Sequence, residues 1–200
     1  MKRTISLLLT LLMLLFLCPT ALAQEEAETR LFTDSVGRTV ELPSKIDRVA
    51  VSGPLAQIVL FALCPDRLVG IASPWDETAA KYFDTKYYEL PVLGQLYGGK
   101  GELNLETLLA SGAQVVVDVG EPKKTIVEDL DALQEQTGIP FVHITVTTAG
   151  MGDAYRKLGE LLDMAEEAEA LAAYCDRVYA RTLYPSKVSP RMFQSLNLIL

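Results

Sequence analysis

Residues 91–120, PVLGQLYGGKGELNLETLLASGAQVVVDVG, contain the alternation of elements that decides the fold. A short apolar run leads into a glycine-rich loop, and a predicted helix follows that loop. Asn104 is a good N-cap for this helix, Glu106 lies in its first turn where a carboxylate suits the dipole, and Gly112 closes its end. The β-branched run at 115–117 is typical of a strand buried on both faces of a parallel sheet. The stretch therefore predicts one strand–loop–helix–strand step, and its loops are where a ligand would bind.

The same alternation extends to both sides of this stretch. Residues 31–42 predict a hairpin with a glycine-containing turn, which Pro43 ends. Further on, apolar runs typical of buried strands alternate with runs of helical period. The chain is therefore predicted to be an α/β protein with a Rossmann-like, mostly parallel sheet and flanking helices. The predicted strands lie at 48–51, 68–72 and 141–146, and the predicted helices lie at 54–63 and 123–136.

Residues 31–150 are expected to form one α/β lobe, and residues 151–183 are expected to be helical almost throughout. A break between two long helices is expected at Asp163-Met164. Each predicted helix carries one apolar stripe. The stripes are Leu55, Ile58, Val59 and Ala62; then Ile126, Leu130 and Leu133; then Ala154, Leu158, Leu161 and Leu162; and last Ala168, Leu171, Ala172, Cys175, Val178 and Tyr179.

The first 23 residues are typical of a secretory signal peptide. A positive start is followed by an apolar run at 5–17 that is short for a membrane span, and an A-x-A cleavage site ends at Ala23. Cys18 lacks the small preceding residue that a lipidated cysteine normally has, so it is interpreted as an ordinary signal-peptide residue. The product is expected in the periplasm or the extracellular envelope space, with 24–30 as a disordered lead-in. The alternative is an uncleaved membrane anchor.

The chain is acidic, with a formal net charge of −8, and cleavage would remove two basic residues and no acidic one. Such a charge argues against a surface for nucleic acid or anionic lipid. Half of the residues are hydrophobic, and the length of 200 residues allows one α/β domain with an extension. In an oxidising compartment Cys64 and Cys175 could pair. Each lies in an apolar helical pattern, however, which favours two small buried hydrophobes.

Motifs for catalysis and for nucleotide binding are incomplete. Residues 94–101 miss the P-loop pattern where a hydroxyl must hold Mg²⁺, because Gly101 stands there. The turn at 52–54 lacks the spaced glycines of a dinucleotide fingerprint. His143, the single histidine, lies in a predicted strand, which favours a structural role, and no G-x-S-x-G elbow accompanies it. One histidine also argues against a zinc or manganese site, so neither a metal nor a cofactor is predicted.

Three segments together carry a resemblance to a known family. They are PVLGQ…NLETLLASGAQVVVDVG within 91–120, FTDSVGRTVELPSKIDRVAVSGPLAQIVLFALCPDRLVGIASPW at 32–75, and TGIPFVHI at 137–144. Their order and spacing, from about residue 31 to about residue 182, resemble the N-terminal lobe of the substrate-binding proteins of bacterial ABC importers. The subgroup resembled handles ferric siderophores, haem and cobalamin. In that family a long helix leaves the first lobe and carries a second, similar lobe.

The resemblance implies a ligand site at the loops that follow the strands. Trp75 and Tyr97 would offer aromatic faces to a flat macrocycle or to catecholate rings, although both could instead cap the core. Glu106 occupies the place of a glutamate that docks with arginines of the membrane permease; its alternative role is to stabilise the helix dipole. The implied partners are an iron complex or a corrinoid, and the importer permease. The implied ligand-binding residues are Ser52, Pro54, Trp75, Tyr97 and Glu121.

Residues 184–200 depart from the family pattern. Pro185 and Pro190 break any helix, and no further strand–helix unit follows. The chain is therefore interpreted as a truncated or frame-shifted form, with weak binding and no transport of its own. The expected function is solute binding for an importer, without catalysis. The alternative is a small exported α/β enzyme or adhesion domain.

Overall fold

The computed structural model describes residues 28–82, 84–97 and 102–183. The strands are Thr29–Thr33 (β1), Thr39–Pro43 (β2), Val49–Val51 (β3), Val115–Gly120 (β4) and Phe141–Thr145 (β5). The helices are Pro54–Leu63 (α1), Thr85–Tyr88 (α2), Leu105–Ser111 (α3), Ile126–Thr137 (α4), Met151–Leu162 (α5) and Ala165–Leu183 (α6). Short 3₁₀ turns lie at Pro65–Arg67 and Glu77–Lys81. The predicted α/β class is confirmed. The signal peptide, most of the glycine-rich loop and the tail at 184–200 lie outside the described residues.

The central sheet is parallel, with the strand order β3-β4-β5. Single bridges extend it, from Val49 to Leu68 and from Ile71 to Val92. The strand expected at 68–72 is therefore reduced to two isolated pairings. Gly70 lies between them, where the Leu93 side chain crosses so closely that a Cβ would stand 2.5 Å from its Cγ. A glycine at such a close approach weakens regular pairing.

The sheet separates two apolar cores, as the run of valines in β4 requires. Val117 and Val119 face the core that α1, α5 and α6 cover. Val116 faces the other core, where Leu108 of α3 and Leu130 of α4 pack. All five residues from Val115 to Val119 are buried, which confirms a strand covered on both faces.

The helix of the central stretch has the ends that were expected. The Asn104 side chain accepts a hydrogen bond from the backbone N–H of Thr107 at 2.9 Å. Gly112 adopts a left-handed conformation at φ 65°, and its carbonyl accepts from Arg48 Nε at 2.8 Å. Both termini of this short helix are thereby satisfied, and the chain enters β4 in a fixed register.

Helix α1 turns a different face inward from the one expected. Leu55 and Ile58 are 43% and 60% exposed, whereas Val59 and Leu60 are buried. Every residue of the helix except Gln57 is apolar, so the apolar periodicity could not choose a face. Gln57 makes the choice, because its Oε1 accepts from the backbone N–H groups of Ala72 and Ser73 at 2.8 and 3.1 Å.

The β1–β2 hairpin docks on the free edge of β5. The backbone N–H of Ser35 donates to the carbonyl of His143 at 2.9 Å, and Arg38 Nη1 donates to the carbonyl of Phe141 at 2.8 Å. The hairpin begins at Thr29, so the last two residues of the expected lead-in belong to a strand. These contacts satisfy an edge that would otherwise expose unpaired backbone groups.

Helices α5 and α6 form an antiparallel pair, and the break between them falls where it was expected. Asp163 ends α5 in a left-handed conformation at φ 53°. Near the break, Gly159 lets α6 approach so closely that a Cβ would stand 2.6 Å from the Cβ of Ala168. Arg156 then bridges the pair, bonding to Glu169 and Asp176 at 2.8 and 2.9 Å.

Both cysteines in the described part of the chain are free thiols. Cys64 is buried, and burial raises the pKa of its thiol to about 12. Cys175, on α6, is half-buried. In the same described part of the chain, no helix combines the length and the apolar character that crossing a membrane requires.

Candidate functional site

A cleft of about 210 Å³ opens where β3 and β4 end. Carboxyl ends of neighbouring parallel strands meet at one edge of a sheet, and α/β folds bind ligands at that edge. Four of the five expected ligand-binding residues meet in the cleft, namely Ser52, Pro54, Tyr97 and Glu121. Its further lining residues include Leu55, Asp118, Gly120 and Lys123.

The loop that carries Tyr97 is held against the end of β3. Gly94 makes the approach possible at φ 82°, where a Cβ would stand 2.2 Å from the carbonyl oxygen of Glu102. The backbone N–H of Leu96 then donates to the carbonyl of Ser52 at 2.7 Å. Gly94 therefore fixes the path of this glycine-rich loop.

The Tyr97 side chain is oriented by two groups that follow β4. Its hydroxyl donates to Asp129 Oδ2 at 2.7 Å, and the ammonium of Lys123 lies 3.6 Å from its ring centroid. Burial, and then the hydrogen bond to Asp129, raise the pKa of the Tyr97 phenol. The hydrogen bonds from Tyr97 and Thr125 in turn lower the pKa of Asp129. Tyr97 therefore stays neutral at physiological pH and Asp129 stays charged.

Ser52 and Asp118 form the floor of the cleft and belong to a buried polar relay that also includes His143 behind them. Ser52 Oγ donates a short hydrogen bond to Asp118 Oδ1, and His143 Nδ1 lies 2.7 Å from Asp118 Oδ2. His143 is 1% exposed and Asp118 is 7% exposed. The backbone N–H of His143 also donates to Asp34 at 3.3 Å. The structural role expected for the histidine is consistent with these contacts.

The order of the three side chains does not suit nucleophilic catalysis. In a Ser-His-Asp triad the histidine takes the proton of the serine, and the aspartate orients the histidine. Here Asp118 lies between Ser52 and His143, so the hydroxyl is bonded to a carboxylate and not to an imidazole. The relay can hold the ends of β3, β4 and β5 together, and it can present the carboxylate of Asp118 to the cleft.

His143 Nε2 is buried and has no hydrogen-bond partner among the described residues. Nδ1 faces Asp118, and a carboxylate accepts hydrogen bonds, so the contact between them places a proton on Nδ1. Among the described residues, no lysine or arginine pairs with Asp118.

Trp75 and Glu106 do not join the cleft. The ring of Trp75 packs against Phe61, with centroids 5.1 Å apart, and Trp75 is not among the residues that line the cleft. This contact of Trp75 fits a residue that caps the core better than a residue that stacks on a ligand. Glu106 is exposed in the first turn of α3, where either of its expected roles remains open to it.

A second, larger opening lies beside the cleft, under α6. This groove of about 530 Å³ shares Leu55 and Glu121 with the cleft. Its walls are mostly apolar, and two of its lining residues on α6, Tyr174 and Val178, are 59% and 42% exposed. Its other lining residues are Val146, Thr147, Thr148, Met151, Cys175, Tyr179 and Thr182.

Sequence reasoning missed Asp118, Lys123 and Asp129. Asp118 could have been noticed, because it is the one charged residue in an otherwise apolar buried strand. Lys123 and Asp129 gave no such signal, since Lys123 lies in the polar loop before α4 and Asp129 lies in the polar first turn of that helix. Within the described ranges, no three His, Cys, Asp or Glu side chains are grouped as a metal ion would need.

No protein-family model matches the chain, and no curated protein matches it. Solved structures do match. An ABC transporter solute-binding protein from Sulfurospirillum deleyianum is 24% identical at a TM-score of 0.65, over 74% of this chain and 46% of that protein.

Two further structures have names that include a ligand. A periplasmic molybdate-binding protein from Haemophilus influenzae, MolA, is 16% identical at a TM-score of 0.59, over 80% of this chain and 55% of its own. The siderophore-binding protein BauB, bound to acinetobactin and ferric iron, is 17% identical at 0.59, over 82% of this chain and 56% of its own. The chain thus has the fold of solute-binding proteins and spans about half the length of those structures. At these identities the likeness shows the fold alone.

Proposed function

We propose that the chain is a solute-binding component of an ABC importer, acting on an iron complex or a corrinoid. The observation that supports this most directly is the cleft at the ends of β3 and β4, which gathers Ser52, Pro54, Tyr97 and Glu121. The fold is shared with proteins of that class, at a place where α/β folds bind ligands. The structural neighbours are binding proteins of transport systems and not enzymes.

The proposed site works by holding a ligand against fixed groups and not by changing it. Tyr97 is positioned by Asp129 and Lys123, so its ring offers a preorganised face. Preorganisation reduces the ordering cost that weak binders pay. One lobe covers one side of a solute only, so affinity of the given residues for a ligand is proposed to be weak. The chain is proposed to act outside the cytoplasm, after cleavage behind Ala23.

Glu106 is proposed as a contact to the permease. Its carboxylate is exposed on α3, and Leu109, one helical turn further, is 51% exposed. A carboxylate beside an apolar side chain suits an arginine of a partner, which combines a charge with an apolar stem. Glu106→Gln should weaken association with the cognate permease while leaving ligand affinity unchanged. Equal permease binding by the variant would remove Glu106 from the docking surface.

The binding function is tested by native mass spectrometry of the purified chain with haem, a corrinoid and ferric siderophores. A one-to-one complex with any of them, weakened by Tyr97→Ala, supports the proposal. The matched control is Tyr82→Ala, because Tyr82 is 83% exposed and does not line the cleft. Equal loss in both variants, or no complex with any ligand, would count against it.

A further inference from the structure

The charges around the cleft are unequal among its described lining residues. Two carboxylates, Asp118 and Glu121, face one ammonium, that of Lys123. The carboxylates differ in setting, since Asp118 lies buried in the floor and Glu121 lies exposed at the rim, next to the groove under α6. A ligand therefore meets negative charge both at the bottom of the cleft and at its mouth.

Asp118 has no lysine or arginine partner among the described residues. Its two oxygens accept hydrogen bonds from Ser52 and from His143. Each carboxylate oxygen can accept more than one hydrogen bond, so Asp118 keeps acceptor capacity toward the cleft. In a partly desolvated site such a charge acts more strongly than it would in water.

The ammonium of Lys123 is already in contact with the ring of Tyr97. Its Nζ lies 3.6 Å from the centroid of the Tyr97 ring, the geometry of a cation–π contact. The Tyr97 hydroxyl in turn bonds to Asp129, so a second carboxylate lies on the same side. An anionic ligand would have to draw Lys123 away from this arrangement before gaining its attraction.

We infer that the ligand is a neutral or positively charged complex that turns N–H donors or a cationic group toward Asp118 and Glu121. A ferric hydroxamate carrying a free ammonium has this chemistry, as does a macrocycle fringed with amides. A ferric tricatecholate and a free oxyanion do not, because both would bring negative charge to two carboxylates. This inference rests on the proposed binding function and narrows the ligand class within it.

The test is paramagnetic NMR on the ¹⁵N-labelled chain, which detects weak complexes. Two probes are compared: a ferric trihydroxamate with one ammonium group, and a ferric tricatecholate with a net negative charge. High-spin iron broadens the amide signals near it, and the gallium complexes serve as diamagnetic controls. The hydroxamate should broaden the signals of Ser52 and Gly120 first, and higher salt should weaken its binding.

Substitutions that remove one charge separate electrostatic attraction from the effect of the shape of the cleft. Glu121→Gln should raise the Kd for the ammonium-bearing probe about 1.5- to 5-fold, the range for an exposed ion pair. Glu128→Gln is the matched control, because Glu128 is exposed on α4 and does not line the cleft.

The outcomes distinguish the inferred ligand class from the proposed binding function. Stronger broadening of the cleft by the tricatecholate, or a Kd left unchanged by Glu121→Gln, would overturn the inferred ligand class and leave the binding function standing. No broadening of the cleft by either probe, together with no complex of haem or a corrinoid in native mass spectrometry, would overturn both. If Glu128→Gln raised the Kd as much as Glu121→Gln, the net charge of the chain would account for the attraction. That result would also overturn the inference.

Discussion

The cleft at the ends of β3 and β4 and the groove under α6 adjoin each other but are built in opposite ways. The cleft is small, and its floor is tied by hydrogen bonds that connect Ser52, Asp118 and His143. The groove is more than twice as large, and apolar side chains such as Val178 stand half-exposed along it. Directional bonds fix a few atoms firmly, whereas apolar contact tolerates rearrangement. The cleft should therefore be the rigid region and the groove the adaptable one.

The largest expected effect comes from breaking the floor of the cleft. Asp118→Ala leaves the Ser52 hydroxyl and His143 Nδ1 buried without their acceptor. Each unsatisfied group costs about 1–3 kcal/mol, so urea denaturation should show a loss of about 2–6 kcal/mol for the two groups. Asp118→Asn keeps one acceptor oxygen and should lose less. Equal losses in the two variants would show that the hydrogen bonds are not what holds the floor.

A smaller effect is expected where α6 meets α5 and sets the width of the groove. Gly159→Ala places a methyl group 2.6 Å from the Ala168 Cβ, with backbone of α6 close by. Overpacking of this kind costs about 1–3 kcal/mol, against a helix-propensity gain of up to about 1 kcal/mol. Thermal denaturation measures the balance.

Gly152→Ala is the matched control for that substitution. Its added methyl group meets the Asp176 carboxylate, the mobile end of a side chain, at 2.1 Å. The carboxylate can move aside, so this variant should be destabilised less. A greater loss at Gly152 than at Gly159 would place the main restraint on α6 in the ion pairs of Arg156 and not in the close approach.

Tyr97→Phe tests the side of the cleft through its pH dependence. The Tyr97 hydroxyl lowers the pKa of Asp129 in the folded chain, so its contribution to stability is present above the unfolded pKa of an aspartate, about 3.9. That contribution is lost as the pH falls through the folded pKa. The variant should therefore be less stable than the parent at pH 7, and the two should converge in acid. A difference in urea midpoint that is constant with pH would contradict this linkage.

The smallest expected effect on stability comes from the wall of the groove. Val178→Ser changes a side chain that is 42% exposed, and its unfolding free energy should stay within about 0.5 kcal/mol of the parent. Binding of a hydrophobic dye should fall, because apolar surface is lost from the groove. Val92→Ser, at 43% exposure and off the groove, is the matched control and should leave dye binding unchanged. A large stability loss in Val178→Ser would mean that the groove is as rigid as the cleft.

The sequence predicted the elements that depend on local signals. Asn104 and Gly112 mark the ends of α3, the valine run marks β4, and Pro54 begins α1, and all four are found as expected. Each of these signals acts through the backbone of its own segment. The loops that follow β3 and β4 could then be placed at one edge by topology alone, and the lining of the cleft agrees with that placement.

Features that depend on a distant partner could not be predicted. The inward face of α1 is chosen by Gln57, through the backbone of Ala72 and Ser73. Since every other residue of α1 is apolar, the periodicity of the sequence does not show this choice. Asp118 acquires its role only when the strands pair and bring Ser52 and His143 to it. Trp75 was grouped with Tyr97 because each follows a strand, but the turn after Ala72 directs its ring to Phe61.

The floor of the cleft also has an order of assembly. Asp118 is 25 residues from His143 along the chain but 66 residues from Ser52. Closing the longer loop costs about 0.9 kcal/mol more entropy, from the logarithmic dependence on loop length. The pairing of β4 with β5 should therefore precede that of β3 with β4. If it does, pulsed hydrogen exchange during refolding would show early protection of Ile144 and late protection of Ser52, whose N–H donates to the carbonyl of Val117. Ser52 is then the last of the three side chains to join the floor. The cleft therefore forms only when β3 pairs with β4, and a chain that has not reached that step has no ligand site.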